Sequence, residues 1–592
     1  MKLIIRQYLE GLRERDELDA ILPGVLSELG WTVFSRPGRG TRQDGVDVAA
    51  VCPGEAEKVY LFSIKAGNLT RSAWNGNSEQ ALRPSLGEIQ DSYIPSRLPE
   101  EHRNKDVVIC ICLGGDIQET VRSAVKGYIE NNTRDTLSFE EWNGDKLASI
   151  ILESTFREEI MPERCRSSLR KALALIDQPD VSADHFVKMV DEIRATVDTT
   201  QARPITVALR QISTSLWILF SWAREEGNIE AAYLAGEMAT LYAWEMAKGG
   251  FNPESSRPGR LQFAMMNLIE INRRIAAQYL ADVVWPTLEK RYALSYQVQS
   301  VCSVDVNLKI FDVLGRVALE CIWQHWFLLK ISGAIDRDSS LLEHDDPRES
   351  MMEGFRHQVD GLVQVIADNP GTCCPLSESQ GINISLVVFA LILDQRLQTA
   401  LGWLRNIVGA ASFAMDSKGA YPCIYEDYIQ LIDHPRREEG YFAESTKASV
   451  LFPMIMVWAA ILKDEELFQS VLSLQEQHLS HCEFQLWYLD EGSEEFLYLN
   501  KERHGSCLFL RDQRWESMSD FLDLVFRPCE TTVVDTKISA FMWYWPLVLT
   551  ACRRYGLPFP IHLLKPFRAS SNGSERVESS AKDVDQVDNL QP

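Results

Sequence analysis

The chain lacks the cysteine spacing of a zinc ribbon or a redox turn. Its 13 cysteines are scattered over 592 residues, and no two of them form a Cys-x-x-Cys pair. That excludes a disulfide-stapled secreted scaffold and points to reduced thiols in a cytoplasmic protein. Runs long enough to cross a bilayer are also missing. The most apolar stretches, 448–462 and 538–552, fall short of the roughly 20 residues a spanning helix needs, so both read as buried helices. No opening segment joins a basic start to an apolar stretch and a small-residue cleavage site, so no secretion signal is expected. Basic charge is in short supply: 60 Lys and Arg stand against 84 Asp and Glu, a net charge of −24. The first 180 residues hold 23 basic and 29 acidic side chains, so most of the excess acid lies downstream. Phosphate backbones favour basic surfaces, so the downstream part is no general nucleic-acid groove. A protein partner or self-association suits it better. The tract His478-x-x-His481-Cys482 has no second ligand pair to complete a metal site and reads as a helix end meeting a loop.

What is present is concentrated near the N-terminus. Gly45-Val46-Asp47-Val48-Ala49-Ala50-Val51 and Lys58-Val59-Tyr60-Leu61-Phe62-Ser63-Ile64-Lys65 are rich in Val and aromatics. Pro53-Gly54-Glu55-Ala56-Glu57 breaks them, so they read as one antiparallel hairpin. A turn centred near Ala56 places Asp47 opposite Lys65 at the open end. Alternation puts Ser63 and Lys65 on one face and Ile64 on the other. A carboxylate, a second polar group and an amine at one sheet edge suit holding a divalent metal against a phosphodiester and activating water beside it. Taken alone, Asp47 and Lys65 also fit an ordinary cross-strand ion pair, worth about 0.2–1 kcal/mol when exposed.

The surrounding elements narrow the choice. Residues 16–29 suit an amphipathic helix despite Pro23, and Trp31 to Phe34 suit a first strand. After the hairpin, Leu82 to Tyr93 suit a helix with Pro84 in its first turn. Val107 to Leu113 form a continuous apolar run, as a buried central strand requires. Phe139 to Leu147 suit a closing strand and the start of a helix.

This order, with Gly-Val-Asp and Ser-Ile-Lys on the hairpin, resembles the PD-(D/E)xK nuclease superfamily and within it the Mrr-like restriction endonucleases. The resemblance implies an α/β restriction-endonuclease-like N-terminal domain and a Mg²⁺- or Mn²⁺-dependent endonuclease acting on DNA. It implies metal binding by Asp47 and the Ile64 main-chain carbonyl, and activation of the attacking water by Lys65. Ser63 stands where the family carries Glu, Asp or Gln, so Glu28 on the preceding helix and Asp44 are candidate replacements for the missing acid. Gln90 is the candidate to steady a ligand or the phosphate from the next helix. Arg36, Arg39 and Arg42 before the hairpin, with Arg71 after it, are the candidate phosphate contacts. Arg83, Arg97, Arg103 and Lys105 would extend that surface.

Beyond about residue 185 the pattern is helix, short polar turn, helix: 205–224 with 228–246, 386–393 with 395–410, and 449–462 with 465–474. That suggests a large all-α, solenoid-like domain over 186–568, loosely resembling degenerate tetratricopeptide repeats. Its tryptophans at helical spacing read as core fillers. One hairpin is expected at 483–499, with strands 483–489 and 496–499, and a disordered tail from Ala569. A nuclease joined to a helical region resembles bacterial anti-phage effectors, which implies a protein partner or phage-derived trigger on the helical part; because one site severs one strand, a nuclease that cuts both is expected to be a homo-oligomer. Two other readings stay open: a catalytically silent interaction scaffold, and an RNA-cleaving nuclease.

Overall fold

A computed structural model describes residues 2–12, 14, 18–35, 44–54, 57–76, 81–154, 163–251, 259–337, 346–490, 492–500, 504–511, 513–531, 540 and 544–569. The chain divides into two compact units, residues 1–239 with 256–271, and residues 240–255 with 272–592.

The first unit is built on a five-stranded mixed sheet. Helices α1 (Lys2–Gly11) and α2 (Asp19–Glu28) precede strands β1 (Thr32–Ser35), β2 (Val48–Cys52) and β3 (Lys58–Lys65). Helices α3 (Arg71–Asn75) and α4 (Leu82–Glu88) follow, and α4 runs into a π-helical segment, Ile89–Arg97. Strand β4 (Val107–Leu113), helix α5 (Glu119–Asn132), strand β5 (Leu137–Trp142) and helix α6 (Gly144–Ser154) complete the α/β part. Helices α7 (Glu163–Ala174), α8 (Pro179–Arg194) and α9 (Ala202–Glu225) come next, and α9 packs on α1, α2, α7 and α8. The sheet's compact unit thus reaches past residue 185. The strand order is β1-β2-β3-β4-β5. β1, β2 and β3 are antiparallel, while β3, β4 and β5 run parallel. Every residue of β4 is buried, as its unbroken apolar sequence requires of a strand covered on both faces.

One sheet face is aliphatic. Val59, Leu61, Val107, Ile109 and Ile111 pack there with Leu82, Leu86 and Ile89, and with Val121 and Val125 of α5. The other face is aromatic, with Phe62 set edge-on to Trp142 at 5.0 Å and Trp31 tilted over Tyr60 at 4.5 Å. Each such side chain taken out of water contributes roughly 1.5–3 kcal/mol.

Helices α10 (Ile229–Ala247) and α11 (Arg260–Tyr279) contribute to both units. The second unit then runs through α12 (Ala293–Gln297), α13 (Ser303–Arg337), α14 (Pro347–Asp368), α15 (Gly381–Leu393), α16 (Leu397–Ser417), α17 (Tyr428–Ile432) and α18 (Tyr441–Ser445). Two of the expected helix pairs pack together, α15 with α16 and α19 (Leu451–Ile461) with α20 (Glu465–Gln477), while the helices expected at 205–224 and 228–246 form as α9 and α10. Trp244, Trp323, Trp326, Trp403 and Trp458 are buried among them.

Two expectations fail here. Helix α13 packs on α12, α14 and α15 and also on the helix Trp545–Tyr555 from the far end of the chain. Solenoid repeats touch only their sequence neighbours, so this is a globular helical body rather than a solenoid. The hairpin is also re-paired. Strand β6 (Ala448–Ser449) lies parallel to β7 (Glu483–Tyr488), which pairs antiparallel with β8 (Ser506–Phe509). The expected second strand is instead helix α21 (Glu494–Leu497). Ser493 bonds Asp490 ahead of it, and Glu494 meets the Tyr498 hydroxyl one turn on, a contact only helical spacing allows. The expected tail from Ala569 lies, beyond that residue, outside the described residues.

Charged groups are paired within this unit. Arg273 and Glu320 form an ion pair with side chains only 10% and 3% exposed. Asp312 holds Arg316 at 2.8 Å and Arg553 at 2.7 Å; Arg316, Arg553 and Lys309 outweigh its burial and hold its carboxyl down at about 2. Glu378 accepts the backbone N–H of Val450 at 2.9 Å and of Leu451 at 2.8 Å, capping α19 from outside that helix.

Candidate functional site at the end of the hairpin

The hairpin forms, in a register two positions from the expected one. Cys52 pairs with Lys58 and Val48 with Phe62, a register that sets Asp47 opposite Ser63 rather than Lys65. A shift of two keeps every side chain on its expected face.

Asp47 sits where β2 leaves β3. Its own N–H donates to the Phe62 carbonyl at 2.8 Å, and its carboxylate accepts the Ile64 N–H at 2.7 Å. That carboxylate takes the place of the strand carbonyl that would continue the ladder. In a strand the N–H and C=O of one residue point the same way, so the Ile64 carbonyl also turns toward the Asp47 side. The residues before Asp47 force this exit. Gly45 has φ +82°, and a methyl group there would overlap the Ser85 carbonyl of α4, so only glycine fits. Val46 is buried in the aliphatic core. The Gly-Val-Asp tripeptide therefore has a local reading: a left-handed turn, an anchor and a cap.

Lys65 ends β3. Its ammonium meets Glu14 at 2.6 Å, the two side chains being 10% and 30% exposed. Glu14 comes from the stretch between α1 and α2. It is the acid nearest this lysine, and sequence reasoning missed it. Within Arg13-Glu14-Arg15-Asp16-Glu17 nothing marks one acid over the others.

The remaining candidates separate. Ser63 is buried beneath the sheet surface, so its hydroxyl is no accessible ligand. Asp44 is taken by Arg97 at 2.6 Å. Gln90 does not face the strand ends, because its amide donates to the Tyr128 hydroxyl at 2.9 Å and to the Leu86 carbonyl. Glu28 closes α2, and its side chain lies outside the described residues, as do Arg36, Arg39 and Arg42. Arg71 opens α3 and is exposed. Lys105 is bound to Glu57 at 2.5 Å, Arg83 donates to Asn75 and Arg103 to the Leu98 carbonyl, so part of the expected basic surface is spent internally. Burial, and after it the Asp47 carboxylate, pushes the Cys112 thiol up, which keeps it protonated and inert.

Among the described residues no group of three His, Cys, Asp or Glu gathers as a metal cage. His478 points to Asp416 and His481 to Thr446, so the His-Cys tract does not converge. Asp47, the Ile64 carbonyl and Glu14 each offer a hard oxygen of the type Mg²⁺ takes.

No family model, no curated protein and no solved structure matched this chain. Among the described residues no helix is long and apolar enough to cross a membrane.

Proposed function

We propose that the first unit is a metal-dependent phosphodiester hydrolase acting on nucleic acid, DNA before RNA. The observation that carries this reading is the end of the central strand β3. A carboxylate sits on the Ile64 N–H, and the next residue along β3 is a nearly buried lysine held by an acid. Asp47 and the Ile64 carbonyl would hold Mg²⁺ or Mn²⁺, with Glu14 as the second acid in place of the serine at position 63. When bound, such an ion withdraws charge from a phosphoryl oxygen and acidifies water. Lys65 would orient the attacking water and meet the charge developing on the phosphoryl oxygens. Its release from Glu14 is the event that frees it to do so. Arg71 offers a phosphate contact at the same end of β3. A role in anti-phage defence, with the helical unit holding the hydrolase in check, follows from the family resemblance.

Supercoiled plasmid incubated with purified protein and Mg²⁺ or Mn²⁺ tests this. Nicking or linearisation is expected, and is lost in Lys65→Ala and Asp47→Ala. Intact wild-type protein that cleaves neither DNA nor RNA with either ion overturns it.

One observation favours a second reading. Lys65 is neutralised by Glu14 and almost closed to solvent, as in a nuclease-like module that has lost its chemistry and serves as a scaffold. Calorimetry separates the two: the scaffold takes up no Mn²⁺ that Asp47→Ala abolishes.

A further inference from the structure

The second unit carries a cleft that the hydrolase reading does not use. A cavity of about 450 Å³ opens between α17 and α18, lined by Tyr425, Arg436, Glu438, Glu439, Tyr441 and Glu444 among others. That volume lies within the range of specific binding sites. Its aromatic wall is formed by Tyr425 and Tyr441, their rings 6.1 Å apart and tilted by 34°. Its acid is in excess. Residues 425–444 hold six carboxylates, at 426, 427, 433, 438, 439 and 444, against two arginines. Arg436 is bound to Asp433 at 2.9 Å and Glu444 to Lys447 at 2.6 Å, while Glu438 and Glu439 have no ion-pair partner among the described residues.

The Arg436 guanidinium, held by Asp433, lies 6.0 Å from the centre of the buried Tyr441 ring, at the outer reach of a cation–π contact. Beside the cleft, α17 buries only Leu431 and turns Tyr428, Ile429 and Ile432 outward, Ile429 with 63% of its surface exposed. Tyr428 is fixed there by donating its hydroxyl to Asp305 at 2.5 Å. Unpaired carboxylates and aromatic faces call for a cation. An exposed apolar strip alongside calls for hydrocarbon on the same ligand.

We propose that this cleft is a docking site for a partner protein, taking a segment that presents an arginine or lysine side chain next to apolar residues. The cation enters at the mouth of the cleft against the exposed Glu438 and Glu439, and the neighbouring apolar side chains cover Ile429 and Ile432. Nucleic acid is disfavoured by the sign of the wall. A free polyamine would satisfy the carboxylates and leave the strip bare.

Calorimetry with the full-length chain tests the site directly, using a short Leu/Arg peptide, its Leu/Glu counterpart and spermidine. The Leu/Arg peptide is expected to bind, to weaken as salt rises, and to lose about tenfold in affinity in Glu438→Gln/Glu439→Gln and again in Ile429→Ser/Ile432→Ser. All four side chains are exposed, so these variants keep the fold, which an unchanged melting curve verifies. Glu349→Gln/Glu353→Gln, on exposed α14 positions, should leave binding unchanged. The proposal is overturned if the Leu/Glu peptide binds as well, if the site variants bind like wild type, or if spermidine binds as tightly as the peptide. None of these outcomes depends on nuclease activity.

Discussion

Both units remove charge from water, and they do so in opposite ways. In the helical unit the Arg273–Glu320 pair is closed on both sides, with no path for a ligand. In the sheet unit the Lys65–Glu14 pair lies at a strand end, and its acid is still partly open to solvent. A sealed pair stabilises chiefly by avoiding the cost of an orphaned charge. A pair at a strand end, next to a carboxylate that has left the ladder, is the one the proposed chemistry would separate and use. On the proposed reading, burial alone does not mark a functional charge; the neighbouring exit from the ladder does.

Removing one member of each pair breaks the comparison most sharply. Lys65→Ala should lower plasmid cleavage by about 10²–10⁴-fold, the range for loss of a proton-transfer or water-orienting group, with little change in urea midpoint. Glu320→Ala should do the reverse, leaving Arg273 without its acid and costing about 3–5 kcal/mol in urea unfolding of the helical unit. If Lys65→Ala proved the more destabilising of the two, the distinction between a sealed pair and a usable one would be lost.

Backbone strain gives a smaller effect. Gly45→Ala forces an L side chain into a left-handed turn and against the Ser85 carbonyl. A loss of about 1–3 kcal/mol is expected in thermal unfolding, together with reduced cleavage as Asp47 moves.

Acid titration gives the smallest effect and probes the helical unit. Burial lowers His325 from 6.5 to about 4. The unfolded chain therefore takes its proton first, so this contribution is complete above pH 6.5 and declines as the pH falls toward 4. Burial raises Glu320 and Glu378, which act in the opposite sense over the same region. Comparing wild type with His325→Asn isolates the histidine, and the variant should show a flatter stability profile between pH 6.5 and 4. Identical slopes would show that His325 is as accessible to protons when folded as when unfolded.

The sequence made some of this legible and concealed the rest for physical reasons. Strand β4 could be read because a strand buried on both faces must be apolar throughout. Asp47, Ser63 and Lys65 could be placed on one hairpin because strand alternation is strict. Their register could not, since moving a five-residue turn by one position shifts every cross-strand pair by two. Glu14 was hidden because it reaches Lys65 from a distant, charge-rich stretch whose periodicity does not single it out. The strand assigned to 496–499 failed because Phe496-Leu497-Tyr498-Leu499 satisfies either period, and the Glu494–Tyr498 contact decides for helix. The acidic cleft went unread because its tyrosines and glutamates converge only once α17 and α18 are in place.

The carboxylate that Glu378 lends to α19 has a consequence for anyone wishing to dissect this molecule. Helix α19 is buried along its whole length, and two of its opening amides are answered by a residue some seventy positions upstream. A fragment cut to hold only the α19–α20 hairpin would carry a greasy rod with bare amides at its head. It could be neither excised nor transplanted as a module, and truncation should respect the link back to residue 378.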